Sequence, residues 1–237
     1  AEQPGAIALD YLVNENKPWL IYGQASNTGT ASTGDWRGRF GFVNNQITND
    51  DDILSLDFVT AGSDSNAFVG SYDRPLWGDW LRGKVFGSWN KYTASDVGFA
   101  SEAFTGEGFT FGGELSANVF QYRELFIDVF SGVRFENVTV NNAAVGVTGD
   151  EDFFLPTFGA RLERNSDTAS TNVQLSFEFN AADVAGTSDD RLQNLGRLDP
   201  TTEWYVFQWD ATHSFYLEPV LIPSRWNDTG PEGSPTL

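Results

Sequence analysis

Cysteine and methionine are absent from this chain of 237 residues, and histidine occurs once, at His213. Without cysteine there is no disulfide framework and no thiolate metal site. A single histidine rules out a two-histidine metal site and makes a Ser-His-Asp triad implausible. Basic residues are scarce: 14 Lys and Arg stand against 33 Asp and Glu, a formal net charge of −19. Such a chain repels nucleic acid, so DNA and RNA are not expected partners. No apolar run approaches the roughly 18 residues of a transmembrane helix, and helical periodicity is nearly absent. The opening AEQPGAIALD has neither the basic nor the apolar region of a secretory signal. It also lacks an initiator Met, so the chain reads as a processed form or a fragment.

What the chain does have is aromatics, glycine and alternation. It holds 20 Phe, 8 Trp and 24 Gly, a composition that suits strands. The stretch FTFGGELSANV (109–119) shows the pattern. Phe109, Phe111, Leu115, Ala117 and Val119 alternate with Thr110, Gly112, Glu114, Ser116 and Asn118. The same period of two recurs along the chain and predicts about ten strands: 18–27, 36–47, 53–61, 67–73, 81–92, 109–119, 125–138, 153–164, 171–180 and 203–211.

Each strand offers one apolar and one polar face. The polar faces carry Arg37, Arg39, Asp57, Arg82, Lys84, Glu114, Asp128, Arg134, Glu136, Arg161 and Glu163, with Glu178 beside them. The apolar faces are rich in Phe, Trp and Tyr rather than the close-packed Val, Ile and Leu of a small soluble barrel, and Trp and Tyr gather near strand ends, as in an interfacial girdle. Ordinary strands average about 5–6 residues, whereas membrane-spanning strands need about 9–11; several strands here reach or exceed the second figure. Connections after strands two, four, six and eight are short (48–52, 74–80, 121–124, 165–170), and those after five, seven and nine are long (93–105, 139–152, 181–202). Together these features predict an all-β, antiparallel transmembrane β-barrel whose apolar faces meet outer-membrane lipid and whose polar faces line a wet lumen. A soluble β-sandwich with the Phe-rich faces as its core remains the alternative.

Little here suggests catalysis. AsnAspAspAsp (49–52) and GlyAspGluAsp (149–152) could offer oxygen ligands to Ca²⁺, but they lack the spacing of a calcium loop and read better as solvated turns. Glu114, Asp128, Glu136 and Glu163 could form a glycosidase pair, yet cross-strand pairing with arginine accounts for them more simply. GEGFTFGG (106–113) matches no phosphate-binding loop. His213 has no evident partner. The expectation is therefore a non-enzyme without cofactor or metal.

Four phrases in order then carry a resemblance. LDYLVNENKPW (9–19), SNTGTASTGDWRGRFGFVNNQ (26–46), NDDDILSLDFVT (49–60) and GSYDRPL (70–76) resemble the haemolysin secretion/activation family, the outer-membrane transporters of two-partner secretion within the POTRA-bearing translocase superfamily. The resemblance implies that residues 1–17 end a POTRA-like periplasmic domain and that 18–237 form the N-terminal part of a monomeric barrel. It implies a bacterial outer-membrane pore that secretes or activates a haemolysin- or adhesin-like polypeptide. An insertase of the same superfamily, using 18–27 as a pairing edge, and a passive porin stay open. The Arg-Gly-aromatic signature of the family's lumenal loop is missing, and ten strands fall short of its barrel, so a chain cut near an eleventh strand is expected. The basic residues Arg37, Arg39, Arg82, Lys84, Arg134 and Arg161 would offer transient bonds to a polypeptide in transit, or would simply pair with Asp57, Asp128, Glu136 and Glu163 in a wet lumen.

Overall fold

The computed structural model describes residues 17–29, 34–62, 65–94, 104–143, 146–196, 198–217 and Leu221. Of the expected POTRA-like tail only Lys17 lies among them. Ten strands form one antiparallel sheet in chain order: β1 (Trp19–Ser26), β2 (Arg37–Asn44), β3 (Ile53–Thr60), β4 (Ser65–Trp77), β5 (Leu81–Ala94), β6 (Phe104–Tyr122), β7 (Leu125–Asn142), β8 (Val147–Asn165), β9 (Ala169–Phe179) and β10 (Tyr205–Phe215). The sheet is not closed, and no second sheet lies over its aromatic side among the described residues.

Several strands are longer than alternation alone predicts. β6 and β8 have 19 residues each and β7 has 18. The long loop expected at 139–152 is thereby corrected: β7 continues to Asn142 and β8 begins at Val147, with Thr139 opposite Asp150 and Asn141 opposite Thr148. Charged and amide side chains at these positions weaken the strand signal, but the ladder of backbone bonds carries through them. The 74–80 turn shrinks likewise, since β4 reaches Trp77 through a bulge at Pro75. The 181–202 connection is not a plain loop. It holds two short helices, α1 (Ala182–Ala185) and α2 (Asp189–Asn194). Gly186 ends α1 at φ 73°, a left-handed cap that only glycine adopts without strain, and Asp189 and Asp190 sit in the first turn of α2, where the helix dipole favours them.

The register settles which residues share a face. Following the pairs Arg39–Val59, Asp57–Val69, Val69–Ser88, Lys84–Glu114, Glu114–Gly132 and Gly132–Thr157, every one of the polar-face residues named above falls on a single side, here called the arginine face. The opposite, aromatic face carries Phe40, Phe58, Phe68, Phe111, Leu115, Val133 and Phe158, all well exposed. Rings on the arginine face lie flat over neighbouring glycines: Tyr22 over Gly41, Phe86 over Gly112, Tyr92 over Gly106 and Phe130 over Gly159, where any Cβ would collide with the ring. Part of the glycine content is thus room for rings.

The hydrophobic phase then inverts along the long strands. In β7, Ile127, Val129, Val133 and Phe135 are on the aromatic face, but further on Asn137 and Thr139 take that face while Val138 and Val140 turn to the other. In β8, Leu162, Ala160 and Phe158 give way to Asp152 and Asp150, and the apolar residues Leu155 and Phe153 move to the arginine face. β5 and β6 follow, with Lys91 and Glu107 beyond Trp89 and Phe109. In β7 and β8 the apolar belt runs for nine residues, 127–135 and 154–162, roughly 30 Å along the chain; tilted by about 40°, that matches an apolar band about 25 Å tall. Beyond the inversion, Phe153, Leu155 and Leu192 form the buried apolar cluster, with Val138, Leu195 and Trp204 packed against it.

Candidate functional site: the arginine face

Alternation in β2 and β3 brings Arg39 beside Asp57. The guanidinium donates to the carboxylate at 2.8 Å, and the Tyr22 hydroxyl donates to the same oxygen at 2.6 Å. Arg82 is held by Asp73 at 2.5 Å and by Asp51 at 2.9 Å. Arg134 pairs with Glu178 at 3.1 Å and lies 3.6 Å from Glu136, and Thr157 also donates to Glu178 at 3.0 Å. Arg161 donates to Glu114 at 2.9 Å and sits 4.2 Å above the Phe130 ring, a cation–π contact.

Two of these pairs bridge strands that are not neighbours. Arg161 on β8 reaches Glu114 on β6, and Arg134 on β7 reaches Glu178 on β9. Gly132, opposite Glu114, makes the first reach easy: it adds no side chain to the gap, and a Cβ there would come 2.7 Å from the Gly113 carbonyl. The result is a wall of mixed charge in which most cations are already neutralised.

The pairing differs from the expected one in its partners. Asp57 and Glu136 do meet arginine. Asp128 instead accepts from Asn118 at 2.6 Å, and Glu163 accepts from Asn165. Asp73, Asp51 and Glu178 take their places. Lys84 is exposed and has no ion-pair partner among the described residues. Asp51 was legible only as part of an acidic run; its role depends on the turn folding back toward β5.

The same turn holds the first acidic run, 49–52. Asp50 pairs with Arg74 at 3.1 Å, Asp51 with Arg82, and Asp52 accepts the Thr48 N–H and hydroxyl, each at 2.9 Å. The carboxylates diverge to separate partners, and no metal-holding group of three occurs among the described residues. Asn49 and Asp51 sit at φ 61° and 55°, a region Asn and Asp tolerate better than most residues. Asp52 is fully buried. Burial alone would raise its pKa, but the hydrogen bonds from Thr48, with those from Tyr72 and the Asp50 backbone, together outweigh it and hold the carboxyl below its ordinary value. In the second acidic run, Asp150 and Asp152 bind Asn137 at 2.9 and 2.8 Å, while Glu151 is buried against α2. His213 is not partnerless: its Nδ1 lies 2.9 Å from the Thr171 hydroxyl, on the aromatic side of the β9–β10 hairpin.

With this geometry in hand, solved structures supply a counterpart. CdiB from Escherichia coli superposes with a TM-score of 0.67 at 13% identity, over 85% of this chain and 38% of that chain. This is the CdiB fold. CdiB from Acinetobacter baumannii gives 0.53 at 14% identity, over 68% of this chain and 31% of that one. These neighbours are β-barrels, and the chain spans about a third of their length. No family model matches the sequence, and no curated protein matches it by sequence.

Proposed function

We propose that this chain is part of the wall of a bacterial outer-membrane β-barrel that exports a secreted polypeptide by two-partner secretion. The observation that carries the reading is the inversion of hydrophobic phase in β5 to β8. Below it the exposed aromatic face needs an apolar medium and the arginine face needs water; above it the requirement reverses. A soluble sandwich has no reason to reverse, whereas a strand leaving a bilayer must. The shared fold supports the same reading, because CdiB is a two-partner secretion transporter. Among the described residues β1 and β10 pair on one side only, and lipid does not tolerate unpaired strand edges; in this reading further strands would close a monomeric barrel.

In this reading the arginine face is the passage wall. Its ion pairs keep it hydrated and leave few free charges to trap an extended chain, and Lys84, exposed and without an ion-pair partner among the described residues, is one cation such a chain would meet. Haemolysin- or adhesin-like polypeptides are the proposed cargo, moved without cofactor or catalysis. The test is export. Deleting the gene should remove one or a few polypeptides from the medium, and restoring it should return them. An unchanged set of secreted proteins would sink the transport reading, and a changed set of outer-membrane proteins in its place would point to an insertase.

A further inference from the structure

Residues 181–204 leave the sheet after β9 and lie against the upper half of β8. We infer that this segment is a cap on the passage, seated by Leu192 and latched by Glu151, that must leave the arginine face for the pore to open fully; the inference rests on the barrel reading above.

Part of its role is to cover an edge. β9 pairs with β8 only over Thr157–Asn165, so the upper half of β8 has no strand on that side. There the Ala181 N–H donates to the Phe154 carbonyl at 2.9 Å, and the Thr187 hydroxyl donates to the Asp152 carbonyl at 2.8 Å. Those bonds would suffice for an edge cover. The segment does more, because it turns in over the face. Leu192 is wholly buried against Phe153 and Leu155. The Asn194–Leu195 backbone fills the space that a side chain at Gly149 would need. All four contacted positions, Gly149, Glu151, Phe153 and Leu155, share the side of β8 that bears Thr157 and Arg161. The cap therefore stands in line with the charged wall.

The latch is a buried carboxylate. Glu151 is 1% exposed. It accepts the Ser188 N–H at 3.1 Å and pairs with Arg191 at 3.1 Å, while Arg191 also donates to the Gly186 carbonyl. Arg191 itself remains half exposed, so water can reach one side of the latch.

The seating is also incomplete. An open pocket of about 340 Å³ lies beside the cap, lined by Arg134, Glu136, Phe153, Leu195 and Trp204 among others. Trp204 Nε1 is buried without a hydrogen-bond acceptor, and Arg134 Nε has only the Glu136 carboxylate, 3.6 Å away. Permanent cores are close-packed and satisfied. A small cluster, one ionic latch and unmet donors place this segment at the low-stability end of the molecule, from which moving elements are drawn. Arg134 is also held by Glu178 on β9, a pair in which the segment takes no part.

The absence of native cysteine makes a clean test. The full-chain protein carrying Leu155→Cys and Leu192→Cys is placed in planar lipid bilayers and its potassium chloride current is recorded, oxidised and then reduced. Mobility on a gel establishes that the disulfide has formed. The expected result is a several-fold rise in open-state current on reduction, with no response from either single-cysteine protein. Leu192→Asp, which unseats the cap without a crosslink, should give the higher current from the start. Equal currents in the oxidised and reduced double variant, or an unchanged current for Leu192→Asp, would overturn the cap and leave an edge cover. Because ion current is read without cargo, a barrel that gates in this way but exports nothing would refute the transport reading alone.

Discussion

The two halves of β8 obey the same alternation and bury opposite residues. From Thr157 to Glu163 the polar side chains face Glu114, Gly132 and Asp128, and Phe158 is left exposed. From Val147 to Leu155 the polar side chains Asp150 and Asp152 face outward beside Asn137 and Thr139, while Leu155 is only 2% exposed. Backbone geometry is the same in both halves. What differs is what covers each side: Leu192 of α2 packs on Phe153 and Leu155 in the upper half, and in the proposed reading the opposite side passes from lipid to water.

The sharpest way to break this comparison is to place one arginine on either side of the boundary. Val133→Arg, within the belt on β7, should cost about 2–4 kcal/mol of stability in lipid. Thr139→Arg, on the same face beyond the inversion, should stay within about 0.5 kcal/mol. Reversible urea unfolding from phospholipid vesicles measures both, and equal costs would remove the boundary. Next in size is the small core. Leu155→Ala should cost about 2–3 kcal/mol as a large-to-small change in a partly relaxing site. Amide exchange should speed up across 182–194 and stay slow across 157–163; uniform loss would mean that the halves are not separate.

A smaller effect is expected on the charged wall. Arg161 and Glu114 are 35% and 21% exposed, so water screens the pair, and a double-mutant cycle with Arg161→Ala and Glu114→Ala should give a coupling of about 1 kcal/mol. The smallest concerns Asp52. Its pKa is depressed in the fold, so its contribution is present above the ordinary carboxylate range and is lost as the pH falls through the lowered value. Amide exchange at the Thr48 N–H should therefore be insensitive to this group at neutral pH and quicken only in acid, beyond the normal effect of pH on exchange; Asp52→Asn should remove that acid step.

Much of the wall was legible because period-two alternation is a local property. Arg37, Arg39, Arg82, Arg134 and Arg161 each stand between apolar neighbours in sequence, so their common face follows from the pleat once the strands pair. The belt was legible for the same reason, and so were the ten strands. The end of β7 beyond 138 and the start of β8 before 153 were not, because Thr139, Asn141, Asp150 and Asp152 look like a polar loop when water is assumed on one side only. Nor could Glu151 be told from its acidic neighbours, since its burial depends on α2 arriving from about forty residues later in the chain, at Ser188 and Arg191.

The sequence alone determined the number of strands and which residues of each strand share a side, because both depend on side chains a few residues apart. Tertiary structure alone decided which carboxylate meets which arginine, since Arg161 reaches Glu114 over an intervening strand at Gly132. It also decided that a segment read as a loop turns back as helices onto the charged face. Both outcomes depend on distances between parts of the chain that no local pattern encodes.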